Sequence, residues 1–143
     1  MVPCYLARTG YRLLHEAEWE HACRVGAATE HYYGSGVELL PRYAWFSGNA
    51  QNRTWPVGQK RPNDLGLFDM HGNVWTWCQD PYRDYSIIDD KEYKDPITYT
   101  FSHVVRGASF YDHASNVRSA LREIDRPGNR YYTYGLRVCR TYY

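Results

Sequence analysis

The sequence predicts one domain of the α+β class. Three observations favour this class: a single clear helix near the N-terminal end, several short strands in the C-terminal half, and a long irregular segment between them. A chain of 143 residues fits one domain and can bury a real core. No internal repeat, linker or low-complexity segment divides it.

The helix is expected to begin near His15 and to end at Gly26. Trp19 and Cys23 stand four residues apart, so they share one helical face. Glu18 follows His15 at the capping-box offset, and acidic residues in the first turns suit the helix dipole. Glycine is the residue on which helices commonly end.

Glycine and proline interrupt the chain repeatedly after this helix. A loop of such length is unusual unless it functions or is held by side chains, and we expect Trp45, Phe46 and Trp55 to hold it. Residues 13–14, before the helix, are predicted to form a short buried strand or a staple. Short strands are predicted later at 103–106, 117–121 and 135–140. A turn is predicted at 126–129.

Charge and hydropathy exclude two classes of partner. Seventeen basic and sixteen acidic residues give a net charge of +1, so electrostatics does not single out nucleic acid or an acidic membrane. No apolar run is long enough to span a membrane and no signal peptide is visible, so a cytoplasmic location is the default. The four cysteines lack CxxC or zinc spacing, and their disulfide state is left open: Cys4, Cys23, Cys78 and Cys139.

Several sequence blocks, taken in order, carry a resemblance to a known family. They are YRLLHEAEWE (11–20), YYG (32–34), PVG followed by PNDLGL (56–67), GLFDMHGNVWTW (66–77), RGASF (106–110), RSALR (118–122) and GLR (135–137). This order resembles the formylglycine-generating enzyme (sulfatase-modifying factor) family. The resemblance implies a modified C-type lectin fold, loop-rich with short antiparallel strands, over residues 1–143. It also implies that the family's N-terminal part is missing, so the chain is expected to be a fragment, a compact variant or part of a larger protein.

The resemblance further implies a copper-dependent oxidase that converts a sulfatase cysteine to formylglycine with two thiolates. Soft sulfur ligands suit Cu(I). The two thiolate positions fall here on Asp112 and Val117, and Cys139 is the only cysteine after Cys78. We therefore predict no formylglycine-generating activity, no catalytic residues and no bound copper.

A calcium-binding turn is also implied by the resemblance. Its ligands would be Asp69 and the carbonyls of Gly72 and Val74, together with a glutamate where this chain has Thr76. Calcium takes six to eight oxygens, so the substitution weakens the site. The alternative is that Asp69 caps a turn.

A binding module is the favoured function, because the implied fold tolerates variation on one loop face. Tyrosine mixed with Asn, Asp and Ser is typical of adaptable binding surfaces. We expect a protein, peptide or glycan ligand to be bound by Phe110, Tyr111, Asp112, His113, Asn116, Asn129, Tyr131, Tyr132 and Tyr134. Structural roles are expected for Trp19, Asn73, Trp75, Trp77 and Ser109.

Three alternatives remain open. The first alternative is a sulfatase-modifying oxidase, and the second is a variable protein of a diversity-generating retroelement. The third is the C-terminal accessory domain of a bacterial signalling protein such as a kinase. The second and third are versions of a binding role, whereas the first requires catalysis.

Overall fold

The computed structural model describes residues 10–84 and 101–140, and the structural statements below concern this part of the chain. Its regular structure consists of two α-helices, two single 3₁₀ turns and six short strands, joined by long loops. The α+β, loop-rich class is thereby confirmed. No helix in the described part is long and apolar enough to cross a membrane.

Helix α1 (Glu16–Arg24) has the limits that the sequence predicts. His15 is its N-cap, and the His15 backbone N–H donates to the Glu18 carboxylate at 2.8 Å. Trp19 and Cys23 are fully buried. The face predicted from their spacing is therefore the face that packs on the core.

The larger sheet contains β2 (Trp75–Pro81), β3 (His103–Arg106), β4 (Arg122–Asp125) and β5 (Tyr134–Gly135), in the order β4–β3–β2–β5. Neighbouring strands are antiparallel except for β2 and β5, which are parallel. Every residue of β3 is buried. Successive β3 side chains point to opposite faces, so this strand contributes to a core on each side of the sheet.

The strand predicted at 117–121 is wrong. These residues form turns, although Val117 and Ser119 are fully buried. Their alternating pattern reflects two side chains that reach the interior from a turn, and the ladder with β3 begins only at Arg122.

The single strand predicted at 135–140 is divided in the structure. β5 joins the larger sheet, whereas β6 (Val138–Arg140) pairs antiparallel with β1 (Tyr11–Leu13) in a separate two-stranded sheet. A short buried strand or staple is predicted at 13–14; the strand that forms, β1, starts earlier and ends at Leu13. Leu136 and Arg137 lie between the two sheets and separate the two pairings.

Two hydrophobic clusters form the interior. One contains Leu14, Trp19, Cys23, Met70, Cys78 and Val104, and the other contains Leu40, Ala44, Trp75, Val105, Ala108 and Val117. Trp75 and Trp77 both pack on the second cluster, Trp75 buried and Trp77 half-buried. The neighbours Val104 and Val105 belong to different clusters, which places β3 between them.

Stacked rings hold part of the long irregular segment, which includes helix α2 (Leu40–Tyr43). The rings of Trp45 and Trp55 stack with centroids 4.4 Å apart. Lys60 Nζ lies 3.5 Å from the Trp45 ring centroid, and the Arg53 guanidinium carbon lies 3.9 Å from that of Trp55. Cation–π contacts of this kind stabilise loop packing, and the predicted anchoring role of the two tryptophans is consistent with them.

Candidate functional site

The loop that follows β3 is closed by a carboxylate. Asp112 Oδ2 accepts hydrogen bonds from the Ser109 backbone N–H at 2.8 Å and from Ser109 Oγ at 2.6 Å. Ser109 Oγ in turn accepts from the Tyr111 backbone N–H at 3.2 Å. These bonds fix a tight turn whose outermost side chain is Tyr111, which is 60% exposed.

A second loop connects β4 to β5 and is organised by Asp125. The Asp125 carboxylate accepts from Asn129 Nδ2, from the Arg126 backbone N–H at 2.7 Å and from Tyr134 Oη at 2.6 Å. Burial, followed by the bond to Asp125, raises the pKa of the Tyr134 phenol. The loop thus presents Tyr131 and Tyr132 from a fixed base.

The two loops meet at Phe110. Its ring centroid lies 5.8 Å from that of Tyr132 and 6.2 Å from that of Tyr111. Tyr131 packs on Tyr134 at 5.4 Å, and Tyr134 packs on Trp77 at 5.2 Å. Tyr131 is 54% exposed and Tyr132 is 71% exposed. Tyr111, Tyr131 and Tyr132 together are called the tyrosine face below.

Several residues expected to contact a ligand have other surroundings in the structure. Phe110 is 1% exposed, so it lies beneath the tyrosine face as its support. Asp112 and Asn129 bond within their own loops, and the Tyr134 hydroxyl is bound to Asp125. The sequence pattern could not separate presenting residues from supporting ones, because both are polar or aromatic.

The remaining predicted contacts lie at the edge of the first loop. His113 caps a 3₁₀ turn at Ala114–Asn116, and its Nδ1 accepts from the Ser115 backbone N–H. His113 and Asn116 are exposed.

Asn73 connects the long irregular segment to the loop of the tyrosine face. Its side-chain amide exchanges two hydrogen bonds of 3.0 Å with the Trp55 backbone. Its backbone N–H donates to the Trp45 carbonyl at 2.8 Å, and its carbonyl accepts from the Phe110 N–H at 2.9 Å. The structural role that the sequence assigns to Asn73 therefore has a physical basis.

Gly72 is required next to Asn73 by both space and backbone conformation. Its φ is +73°, and a Cβ built there would lie 2.2 Å from the Trp45 carbonyl oxygen. Only glycine allows the two backbones to approach this closely.

The residues present do not fit a copper centre with two thiolates. Asp112 bonds Ser109, and Val117 is fully buried in the second hydrophobic cluster. The described cysteines are unpaired. Burial raises the pKa of the Cys23 thiol to about 12 and also raises that of Cys78, so both thiols are protonated at neutral pH.

The Asp69 turn fits calcium poorly. Asp69 Oδ2 accepts the Gly58 backbone N–H at 2.7 Å, which supports the turn-capping alternative, while Asp69 Oδ1 is buried without a hydrogen-bond partner. Burial lowers the pKa of Arg137, and the Asp69 charge opposes this effect, so a guanidinium lies near that carboxylate. Thr76 is a buried β2 residue with no charge to add. Within the described ranges, no three His, Cys, Asp or Glu side chains converge as a metal site.

A buried cluster of histidines and tyrosines was not predicted from the sequence. The rings of His31 and His71 lie 5.5 Å apart, with Tyr33 stacked on His31 and Tyr32 stacked on His71. Both histidines are fully buried, and burial lowers the pKa of His71 to about 3. Cys23 Sγ lies 3.4 Å from His71 Nε2. Because the thiol and the imidazole are both neutral, they do not form a thiolate–imidazolium pair.

The model of the sulfatase-modifying factor enzyme 1-like domain matches residues 3–142 of this chain. The chain belongs to this family. The resemblance found in the sequence blocks is thereby confirmed.

Curated members of the family include proteins of different activity. The formylglycine-generating enzyme of Streptomyces coelicolor is 34% identical over 151 residues, which cover 93% of this chain and 48% of that enzyme. The serine/threonine-protein kinase pkn1 of Chlamydia pneumoniae is 35% identical over 140 residues, which cover 95% of this chain and 22% of the kinase. The chain thus spans about a fifth to a half of the length of these relatives.

Solved structures confirm the fold. Treponema denticola variable protein 1 superposes with a TM-score of 0.80 at 30% identity, covering 94% of this chain and 49% of that one. PvdO from Pseudomonas aeruginosa superposes with a TM-score of 0.75 at 30% identity, covering 91% of this chain and 52% of that one. The family fold is therefore retained in a chain that has Asp112 and Val117 where the resemblance implies two thiolates.

Proposed function

We propose that this family member is a non-catalytic module that binds a ligand through the tyrosine face. The observation that carries the proposal is the convergence of Tyr111 and Tyr132, from separate loops, on the buried ring of Phe110. Exposed aromatic side chains held on a rigid base offer large contact area with little conformational entropy to lose.

The replaced thiolate positions support a binding role over oxidation. Asp112 makes hydrogen bonds that shape the loop of Tyr111, and Val117 packs in the core. The same segment that would hold copper in an oxidase thus forms the base of the face. The likeness to a protein named variable protein 1 supports a display role, including the version in which the face varies under a diversity-generating retroelement.

The likeness to part of a serine/threonine-protein kinase supports a second version, in which this module is the accessory domain of a larger signalling protein. The surrounding reading frame would distinguish the two versions. A kinase domain in the same frame favours the second, and a variable-residue template elsewhere in the genome favours the first.

Binding to peptide and glycan arrays tests the proposal. We expect Tyr131→Ala and Tyr132→Ala each to weaken the wild-type signals by about tenfold or more, as loss of an aromatic anchor does. Tyr11→Ala is the matched control, because Tyr11 is 69% exposed on the small sheet and lies outside the face. Array signals that all three variants retain would contradict the placement of the binding site.

The oxidase alternative is tested separately by incubating the protein with copper, oxygen, a thiol reductant and a CxPxR peptide. We expect no formylglycine by mass spectrometry. Formylglycine above that of a protein-free blank would refute the non-catalytic proposal.

A further inference from the structure

The loop that carries Tyr131 and Tyr132 also carries two arginines with free side chains. Arg126 and Arg130 are exposed, and neither guanidinium has a hydrogen bond or ion pair with a described residue. Arg126 takes part in the loop only through its backbone, which bonds Asp125 and Asn129. Two positive charges therefore lie on the loop of Tyr131 and Tyr132 without a partner among the described residues.

The acidic groups of the two loops are already engaged. The two Asp125 oxygens accept from Asn129 Nδ2 and Tyr134 Oη, and Asp112 Oδ2 accepts two bonds from Ser109. Burial, Asp125 and Tyr131 raise the pKa of Tyr134, and the charge of the exposed Glu123 adds a smaller effect, so a further carboxylate lies near this phenol. Residues 123–132 therefore hold two carboxylates, Glu123 and Asp125, and two guanidinium groups, so their formal charges balance. The guanidinium groups contribute the hydrogen-bond donors that no described residue uses, whereas the Asp125 oxygens are occupied.

These observations bear on the chemistry of the ligand. A sugar is recognised largely through hydroxyl groups, which carboxylate and amide side chains bind when their own donors and acceptors are free. Here the carboxylates of Asp112 and Asp125 are used to build the loops. Tyrosine rings and guanidinium groups remain for a partner, and these two side-chain types are enriched at protein–protein hot spots.

We propose that the ligand is an acidic surface of a partner protein. Tyr111 and Tyr132 pack against it, while Arg126 and Arg130 bind its carboxylates. Guanidinium groups bind carboxylates through paired hydrogen bonds, and complementary charge sets the register of an interface. This inference rests on the proposed function, because it names the partner of the same face.

Selection from a random-peptide display library on the immobilised protein tests the inference. Three variants are compared with the wild type: Arg126→Glu with Arg130→Glu, Arg42→Glu with Arg61→Glu, and Tyr132→Ala. The second pair makes the same change of charge at exposed arginines outside the loop. Circular dichroism and thermal unfolding establish that each variant is folded.

We expect the selection to recover peptides that are enriched in Asp and Glu and whose binding requires Tyr132. These peptides should bind the Arg126/Arg130 variant at least about tenfold more weakly than the wild type. Their affinity for the Arg42/Arg61 variant should equal that for the wild type. High salt should also weaken the binding of these peptides to the wild type, since the paired charges lie at the surface.

Each other outcome has a defined meaning. Peptides that need Tyr132 but lack acidic residues, or that bind the Arg126/Arg130 variant as well as the wild type, would overturn the inference and leave the proposed function intact. So would binding of neutral glycans alone that needs Tyr132. Recovery of no ligand that needs Tyr132 would overturn both.

Discussion

Asp112 occupies a position where the family's oxidases carry a thiolate, as the resemblance implies, and its carboxylate instead holds Ser109 through two hydrogen bonds. Thr76 similarly stands where a glutamate is implied, in a strand that pairs with β3 and β5. Each replacement removes a metal ligand and leaves the local backbone bonded. At the scale of single residues, the scaffold thus persists although two implied ligand positions hold other residues.

Gly72→Ala tests the backbone requirement of that scaffold. We expect the free energy of unfolding to fall by about 3 kcal/mol, because alanine is strained at φ +73° and its Cβ would overlap the Trp45 carbonyl. Gly128→Ala is the control, since that glycine has no heavy atom within 4 Å of a new Cβ. Urea unfolding of both variants measures the difference, and equal stabilities would show that the Trp45 segment moves aside.

At the scale of elements, Arg106 joins α1 to the larger sheet. This fully buried side chain at the end of β3 donates to Glu20 of α1 and to the carbonyls of Ser119 and Leu121 before β4. These bonds satisfy backbone carbonyl groups of the turn at 117–121, where the sequence pattern predicts a strand. An alternating pattern identifies which side chains are buried, but it does not show whether the backbone pairs with a strand or with an arginine.

Arg106→Met should lower the free energy of unfolding by about 3 kcal/mol, because it leaves buried carbonyl oxygens without donors. Arg24→Met is the matched control. Arg24 also pairs with Glu20, at 2.7 Å, but it is partly exposed, and an exposed ion pair contributes about 1 kcal/mol or less. A loss for Arg106→Met no larger than for Arg24→Met, in urea unfolding, would refute the joining role.

At the scale of the whole molecule, residues far apart in the chain build both the interior and the tyrosine face. His31 and His71 meet in a buried cluster with Cys23 of α1, and Tyr111 and Tyr132 meet over Phe110. The first assembly makes stability depend on pH, because a histidine buried as the neutral form resists protonation.

The pH dependence has a definite sign. The pKa of His71 is about 3 in the folded protein and 6.5 when unperturbed, so below pH 6.5 the unfolded chain binds a proton that the folded protein does not. The free energy of unfolding should therefore fall as the pH decreases from 6.5 towards 3, with a slope from this group of up to about 1.4 kcal/mol per pH unit. Urea unfolding at several pH values between about 7 and about 4, which lie around and below the unperturbed histidine pKa, measures this dependence of the free energy of unfolding.

His71→Gln should flatten that dependence, whereas His21→Gln, at an exposed position of α1, should leave it unchanged. Identical slopes in the wild type and His71→Gln would mean that His71 takes up its proton without unfolding.

The sequence by itself determined the family, the fold class, the helix and the absence of paired thiolates at Asp112 and Val117. These features depend on local spacing and on ordered motifs, which a single chain displays directly. Only the tertiary structure decided that Phe110 lies beneath the tyrosine face, that Asp112 and Asn129 build its loops, and that Arg126 and Arg130 have no partner among the described residues. The physical reason is that burial and hydrogen-bond partners depend on contacts between distant segments, so chemically similar residues take different roles according to which segment reaches them.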